Sequence, residues 1–339
     1  MTTEAKWSDR DWDRLLDDIR DGAVIPIVGE ELYTTPGADG KDQPLYLATA
    51  QKLAAQLRLE MPEGWEQNRA LNEVVCAYLR DEKQRGDEPE MGRVYDRFCD
   101  LFRSLNPQPC EALQKLAAIR DFKLLLTTTP DDMLERALNQ ARFGGINGTT
   151  SLAFMLQKRD EDLRTEYEPA NAGPSDPPVV FHLFGRLNKR LPDQFVLSDD
   201  DLLEFFLAIQ SLGSEELPNL RDALERNHLL FLGGSLSDWL VRFLLRTANR
   251  HRLSKRAHYD VLAAGSAARE SDLQKFLKFF SPRTKLAPFG PREFVIELHR
   301  RWLEANPDAA APAQPVLPRV EPPDRMPEGC VFISYASED

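Results

Sequence analysis

Long hydrophobic runs are missing from this chain: no stretch of its 339 residues approaches the roughly 20 apolar positions that a membrane-spanning helix needs. Cysteine is scarce. The four present (Cys76, Cys99, Cys110, Cys330) form no Cys-x-x-Cys pair, which excludes a zinc ribbon and a disulfide framework and predicts buried, reduced thiols. A positive surplus is lacking too, since 43 Lys and Arg stand against 55 Asp and Glu for a net charge of -12. That argues against broad binding to nucleic acid, which requires cations to neutralise phosphates. The polar, acidic N-terminus has neither the basic start nor the apolar centre of a secretory signal, so the expected location is cytoplasmic, with no membrane partner. One basic stretch, Arg246 to Arg256, reads as a solvated helix face, with a contact for an acidic partner as the alternative.

Hydrophobic residues make up 42% of the chain, enough for an ample core. Four short apolar runs organise it: Ala23 to Tyr33, Phe122 to Leu138, Val179 to Asn188 and His228 to Arg246. Continuous Val/Ile/Leu/Phe runs of this length predict strands buried on both faces of a parallel sheet. Each run ends in glycine, or in threonine and aspartate, and three of the four run on into a helical pattern. In parallel sheets ligands sit beyond the carboxyl ends of the strands, where these residues fall. Helical spacing predicts helices over residues 7–20 (Ser8 as N-cap, Gly22 just past the end), 45–59, 73–103, 111–119, 131–140, 199–212, 215–226, 238–250 and 291–304. A further strand is expected at 258–263. The glycine-rich segment Arg142 to Thr150 reads as a mobile loop and not a phosphate loop, because no strand precedes it and no Lys-Ser/Thr follows. Residues 160–178 read as an irregular excursion. Seven prolines between Asn306 and Glu328 mark a semi-extended linker.

The order and residues of the four strand ends resemble the sirtuin-like NAD-binding fold. The first end of that family, Gly-Ala-Gly-x-Ser, is here Val28-Gly29-Glu30-Glu31, where two carboxylates compete with a phosphate for amide donors. The second, Thr-Thr-Asn-Tyr-Asp, is here Thr127-Thr128-Thr129-Pro130-Asp131, with Thr129 in place of the asparagine and Asp131 also suited to capping the next helix. At the third, His-Gly becomes Phe184-Gly185. His182 lies two residues earlier, placed by period-two alternation on the same face as Phe184 but further back along the strand, and reads either as a base in a deeper pocket or as a buried core histidine. The fourth, Gly233-Gly234-Ser235, fits the family's adenosine-side turn, and Ser237 and Asp238 suit the start of a helix.

The resemblance implies an α/β, Rossmann-like, mostly parallel sheet with helices on both faces plus a helical insertion (about 45–119) and no zinc ribbon. The domain would span 1–304, the linker 305–328. It implies NAD or an ADP-ribose derivative as the bound nucleotide, with no metal. Thr129, Asp131 and His182 become the catalytic candidates; Gly29, Glu30, Thr127, Thr128, Gly185, Gly233, Gly234 and Ser235 the cofactor-binding ones. Residues 329–339, with Phe332-Ile333-Ser334-Tyr335-x-x-x-Asp339, resemble the opening of a Toll/interleukin-receptor (TIR) domain, which implies a longer antiviral defence protein that works as a homo-oligomer. Two functions follow from these resemblances: a nucleotide-binding module with degenerate catalytic motifs and a regulatory or oligomerising role, or an NAD glycohydrolase that depletes NAD on infection. Protein deacetylation is not expected without the zinc ribbon, and a nucleic-acid factor is disfavoured by the charge.

Overall fold

The computed structural model describes residues 7–37, 39–60, 69–86, 90–156, 177–187, 194–211, 217–233, 238–249, 252–263 and 272–307. The linker from residue 308 on, the TIR-like segment, Gly234 and Ser235, and the 160–176 part of the excursion lie outside the described residues. The chain opens with α1 (Asp9–Arg20), whose Ser8 amide and hydroxyl both meet the Asp11 carboxylate in a capping box. Trp12, Leu15, Leu16 and Ile19 form its buried stripe. Gly22 follows its end, as expected.

Seven parallel strands form the central sheet: β1 (Val24–Val28), β4 (Leu124–Thr127), β5 (Thr150–Ala153), β6 (Val179–His182), β7 (His228–Leu232), β8 (Val261–Ala263) and β9 (Lys285–Leu286). Their order is β5-β6-β4-β1-β7-β8-β9. From β1 the chain passes to β4, goes on to the edge strand β5, and comes back to lay β6 between them; it then returns to β7 and winds the other way. The reversal falls between β1 and β7, which are paired over their full length (Val24 beside His228, Val28 beside Leu232). The apolar runs foretold the parallel, doubly buried strands and the resemblance the Rossmann-like, doubly wound arrangement; in open sheets of this kind ligands bind at the carboxyl edge where the strand order reverses.

Both faces of the sheet are covered, so every residue of β1, β4, β6 and β7 is buried. Alternation sorts the side chains. Val24, Val28, Leu125, Val180, Leu230 and Leu232 face one core, shared with α1, α5 (Glu111–Ala118), α6 (Met133–Phe143) and α11 (Pro291–Ala305). Ile25, Ile27, Leu124, Leu126, Phe181, Leu229 and Phe231 face the other, under α7 (Asp199–Ser211), α8 (Pro218–Arg226), α9 (Asp238–Asn249) and α10 (Asp272–Phe280).

Several expectations need correction. No long helix follows β1; a single 3₁₀ turn, Glu30–Leu32, leads into a small hairpin, β2 (Thr34–Pro36) and β3 (Asp42–Pro44). The pattern over 73–103 is two helices, α3 (Ala70–Arg85) and α4 (Met91–Leu105), which with α2 (Leu45–Leu57) make the helical insertion. The end of the glycine-rich segment is tied to α6: Asn139 Oδ1 accepts from the Gly148 and Thr149 amides and the Thr149 hydroxyl, just ahead of β5. Arg256, expected on a solvated face, is buried in an ion pair with Asp260 at 2.8 Å. Cys76 is exposed where a buried thiol was expected; Cys99 is buried. Among the described residues no helix is long and apolar enough to cross a membrane.

Candidate functional site

At the carboxyl ends of β4 and β6 the apolar alternation gives way to hydroxyls, carboxylates and a histidine, all on the face covered by α6 and the helical insertion. Thr127 closes β4 fully buried, and its Oγ1 lies 2.9 Å from the Thr129 hydroxyl. The Thr129 hydroxyl donates to the phenol oxygen of Tyr33 at 3.0 Å. Tyr33 arrives from the turn after β1, and its ring packs edge-on against Tyr46 of α2. The Tyr46 hydroxyl donates to Asp131 Oδ2, while Asp131 Oδ1 accepts the amide of Met133, the first residue of α6, at 2.9 Å. Asp131 thus satisfies the first amide of α6 from one residue before the N-cap, Asp132, and is not itself the cap that one reading of the sequence expected.

The chain of contacts continues through the backbone. His182, the last residue of β6, places Nδ1 3.0 Å from the Thr129 carbonyl oxygen and Nε2 2.8 Å from Glu135 Oε1. Ser151 of β5 donates to the same carboxylate oxygen at 2.7 Å, and Arg186 Nη2 stands 3.8 Å from it. Glu135 lies in the first turn of α6, four residues after Asp131, which precedes the helix. Its other oxygen is buried with no hydrogen-bond donor among the described residues.

The two carboxyl groups are pushed in opposite directions. Burial raises Asp131 above the ordinary aspartate value, with hydrogen bonds from Tyr46 and the Met133 amide opposing it. Burial acts on Glu135 in the same sense, but the neighbouring His182 charge, its hydrogen bond and Arg186 outweigh it and hold Glu135 below its usual range. Tyr33 and Tyr46 are both raised, by burial first and then by Asp131, so both remain phenols.

The β1–β7 reversal is built differently. The Gly29 amide donates to the Leu232 carbonyl at 3.0 Å, and the Thr128 amide to that of Val28 at 3.0 Å, so the strand-end donors are taken up by neighbouring strands. Glu30 and Glu31 are half-buried in the turn that follows. Gly233 has φ +67°, and a Cβ there would sit 2.9 Å from Glu31 Cβ and from Pro291 Cγ. Its missing side chain thus admits protein atoms, pressing the ends of β1 and β7 together. As a pyrophosphate cradle this edge fits poorly in the state described: the room beside Gly233 is filled by protein, and two carboxylates border the turn.

Of the residues predicted from sequence, Thr127, Thr129, Asp131 and His182 come together in one buried network. Gly29, Glu30, Thr128 and Gly233 gather at the reversal. Gly185 joins neither group. It bridges to Phe195 with φ +76°, and a Cβ would fall 1.9 Å from the Gln194 carbonyl oxygen. Phe184 does not share the face of His182, because the strand ends at His182 and the chain turns. Its ring packs instead on Phe205 and Phe206 of α7, in the opposite core. Tyr33, Tyr46, Glu135, Ser151 and Arg186 were not singled out beforehand. Only Glu135 carried a legible signal, its four-residue spacing from Asp131 within the stretch expected to be helical.

Residues 123–279 match the family model of the SIR2-like domain, a little under half of the chain, running from the start of β4 into the last turn of α10. The match leaves out β1 and its glutamate-bearing turn. SIR2-like domains bind NAD. No curated protein matches the chain.

Proposed function

We propose that this domain is a nucleotide-binding module for an NAD-type ligand, closed in the state described and without catalytic turnover in that state. The SIR2-like match across β4 to α10 and the reversal of strand order between β1 and β7 support the ligand class and its edge of the sheet. One observation carries the claim about turnover. His182 is fully buried with each ring nitrogen committed to a protein oxygen, and Thr129 and Asp131, at 3% and 1% exposure, are likewise held by protein partners. A general base or ribose-facing group needs a free atom within reach of the substrate. Binding at the reversal requires the Glu30–Tyr33 turn to rise from Gly233. The TIR-like string at 332–339 supports a regulatory or oligomerising role beside a TIR domain in antiviral defence.

Calorimetric titration with NAD and with ADP-ribose, each to millimolar concentration, tests this reading together with a nicotinamide-release assay. Saturable binding of both without nicotinamide release is the expected result. No heat with either nucleotide overturns the ligand assignment.

A second reading, hydrolysis of the nicotinamide–ribose bond, is favoured by the two neighbouring carboxyl groups driven apart in acidity, a pattern found where acid and base roles are divided. Steady nicotinamide release, lost in Thr129→Ala and Asp131→Asn proteins that remain folded, would establish it.

A further inference from the structure

We propose that Glu135 is a positioning residue for the candidate site: with His182 it forms a buried carboxylate–imidazolium pair that clamps the Thr129 carbonyl and fixes the turn carrying Thr129 and Asp131. The argument starts from hydrogen-bond accounting. The Thr129 carbonyl oxygen can only accept, so Nδ1 at 3.0 Å must bring a proton to it. Glu135 Oε1, already accepting from Ser151 at 2.7 Å, faces Nε2 at 2.8 Å and asks for a second. Both ring nitrogens therefore donate, and the ring is cationic. Glu135 supplies the charge that makes this state affordable in a site where the histidine is fully buried and the carboxylate side chain is 7% exposed. Arg186, 3.8 Å from the same oxygen, adds a second cation at the rim.

The consequence reaches β4. The clamp meets the main chain at Thr129, whose hydroxyl belongs to the Tyr33–Thr127 group and whose chain continues through Pro130 to Asp131. The Leu187 amide donates to the Pro130 carbonyl at 2.8 Å, so β6 and its turn hold the β4 turn at two successive carbonyls. A ring set by its carboxylate partner is the usual means of fixing a histidine's orientation. Glu135 acts one step behind the residues that would meet a ligand.

This rests on the β4 turn being the ligand-facing part of the nucleotide site, and the experiment separates the two claims. Nitrogen-15 NMR of histidine-labelled wild-type protein at neutral pH should show both His182 ring nitrogens protonated. In Glu135→Gln, Nε2 should become a bare, accepting nitrogen while Nδ1 keeps its proton toward Thr129, and the Thr129 and Asp131 amide signals should shift. NAD affinity by calorimetry should fall about tenfold in the same variant, the scale of loss when a supporting hydrogen bond is removed. His182→Gln should shift the same amides. A bare His182 nitrogen in the wild type overturns the pair, a result that needs no variant to fold. Unmoved Thr129 and Asp131 amides in both variants overturn the clamp. If the wild type binds no NAD, the nucleotide reading fails, and the positioning role stands or falls on the ring and amide signals alone.

Discussion

Tyr46→Phe removes one oxygen from a helix of the insertion and tests how the buried network is held. Tyr46 and Asp131 are 4% and 1% exposed, and the tyrosine hydroxyl is the donor on Asp131 Oδ2. A hydrogen bond to a charged acceptor contributes about 1.5–3 kcal/mol, and losing it here leaves a carboxylate oxygen buried, so a cost of about 2–3 kcal/mol is expected at pH 8. The cost should depend on pH. Burial raises Asp131 above its ordinary 3.8, so the folded state binds the proton more tightly than the unfolded one. Stability from this group is therefore greatest at low pH and falls as pH rises from about 4 through the folded value. Without the Tyr46 donor the anion is held less well, so Tyr46→Phe should cost less at pH 4 than at pH 8. In an Asp131→Asn background the lost bond is neutral and should cost only about 0.5–1.5 kcal/mol. The double-mutant cycle then gives a coupling of about 1–2 kcal/mol. Urea unfolding of the four proteins, followed by tryptophan fluorescence at both pH values, measures these quantities. An equal loss at pH 4 and pH 8, or an undiminished loss beside Asp131→Asn, would refute the reasoning.

Arg142→Met should lower urea stability by about 2–4 kcal/mol, because the buried guanidinium donates to the carbonyls of Ala117, Ile119 and Phe122 at 2.7–2.9 Å and leaves them unpaired when removed. Burial and the neighbouring Arg120 pull it down to about 9, so it is charged at neutral pH, and the expected loss is the same at pH 6 and pH 8. Gly233→Ala should cost about 1–3 kcal/mol from its positive φ and its contacts at 2.9 Å, and should shift the NMR signals of residues 30–33. Gly185→Ala, whose Cβ meets a backbone oxygen at 1.9 Å, should yield little soluble folded protein in a matched expression test.

The sheet was readable because its signal is local. Runs such as Val24–Val28 and Leu229–Leu232 are apolar at every position, and a run that short between turn residues reads as a strand buried on both faces. The hairpin β2–β3 and the two-residue β9 carry too few residues to rise above their surroundings. At the site, Thr127, Thr129, Asp131 and His182 were visible because they end strands. Tyr33 and Tyr46 were not: each reads as an ordinary core aromatic, and nothing in the spacing says that its hydroxyl reaches β4, 94 and 85 residues away. Phe184 was placed on the wrong face because period-two alternation was carried past His182, where the strand stops. Arg256 reads as a surface charge because it closes a basic stretch, and nothing in the sequence marks its pairing with Asp260 across the irregular segment 257–260.

The residues that build the carboxyl edge and those that close it come from different parts of the chain. Thr127, Thr129, Asp131, Glu135, His182 and Gly233 all lie within 123–279, the segment that matches the SIR2-like domain. Tyr33, Tyr46, Glu30 and Glu31 lie before it, in the turn after β1 and in the helical insertion. The first group supplies polar atoms at strand ends; the second consumes them, with phenol oxygens on Thr129 and Asp131 and the Glu31 stem against Gly233. Opening the edge therefore does not require the sheet to change. It requires one short 3₁₀ turn and one helix to withdraw two phenols, at a cost set by hydrogen bonds of known size. Under the proposed function a regulator would act on residues 30–57, where withdrawal frees Asp131 from Tyr46 and removes Glu31 from Gly233.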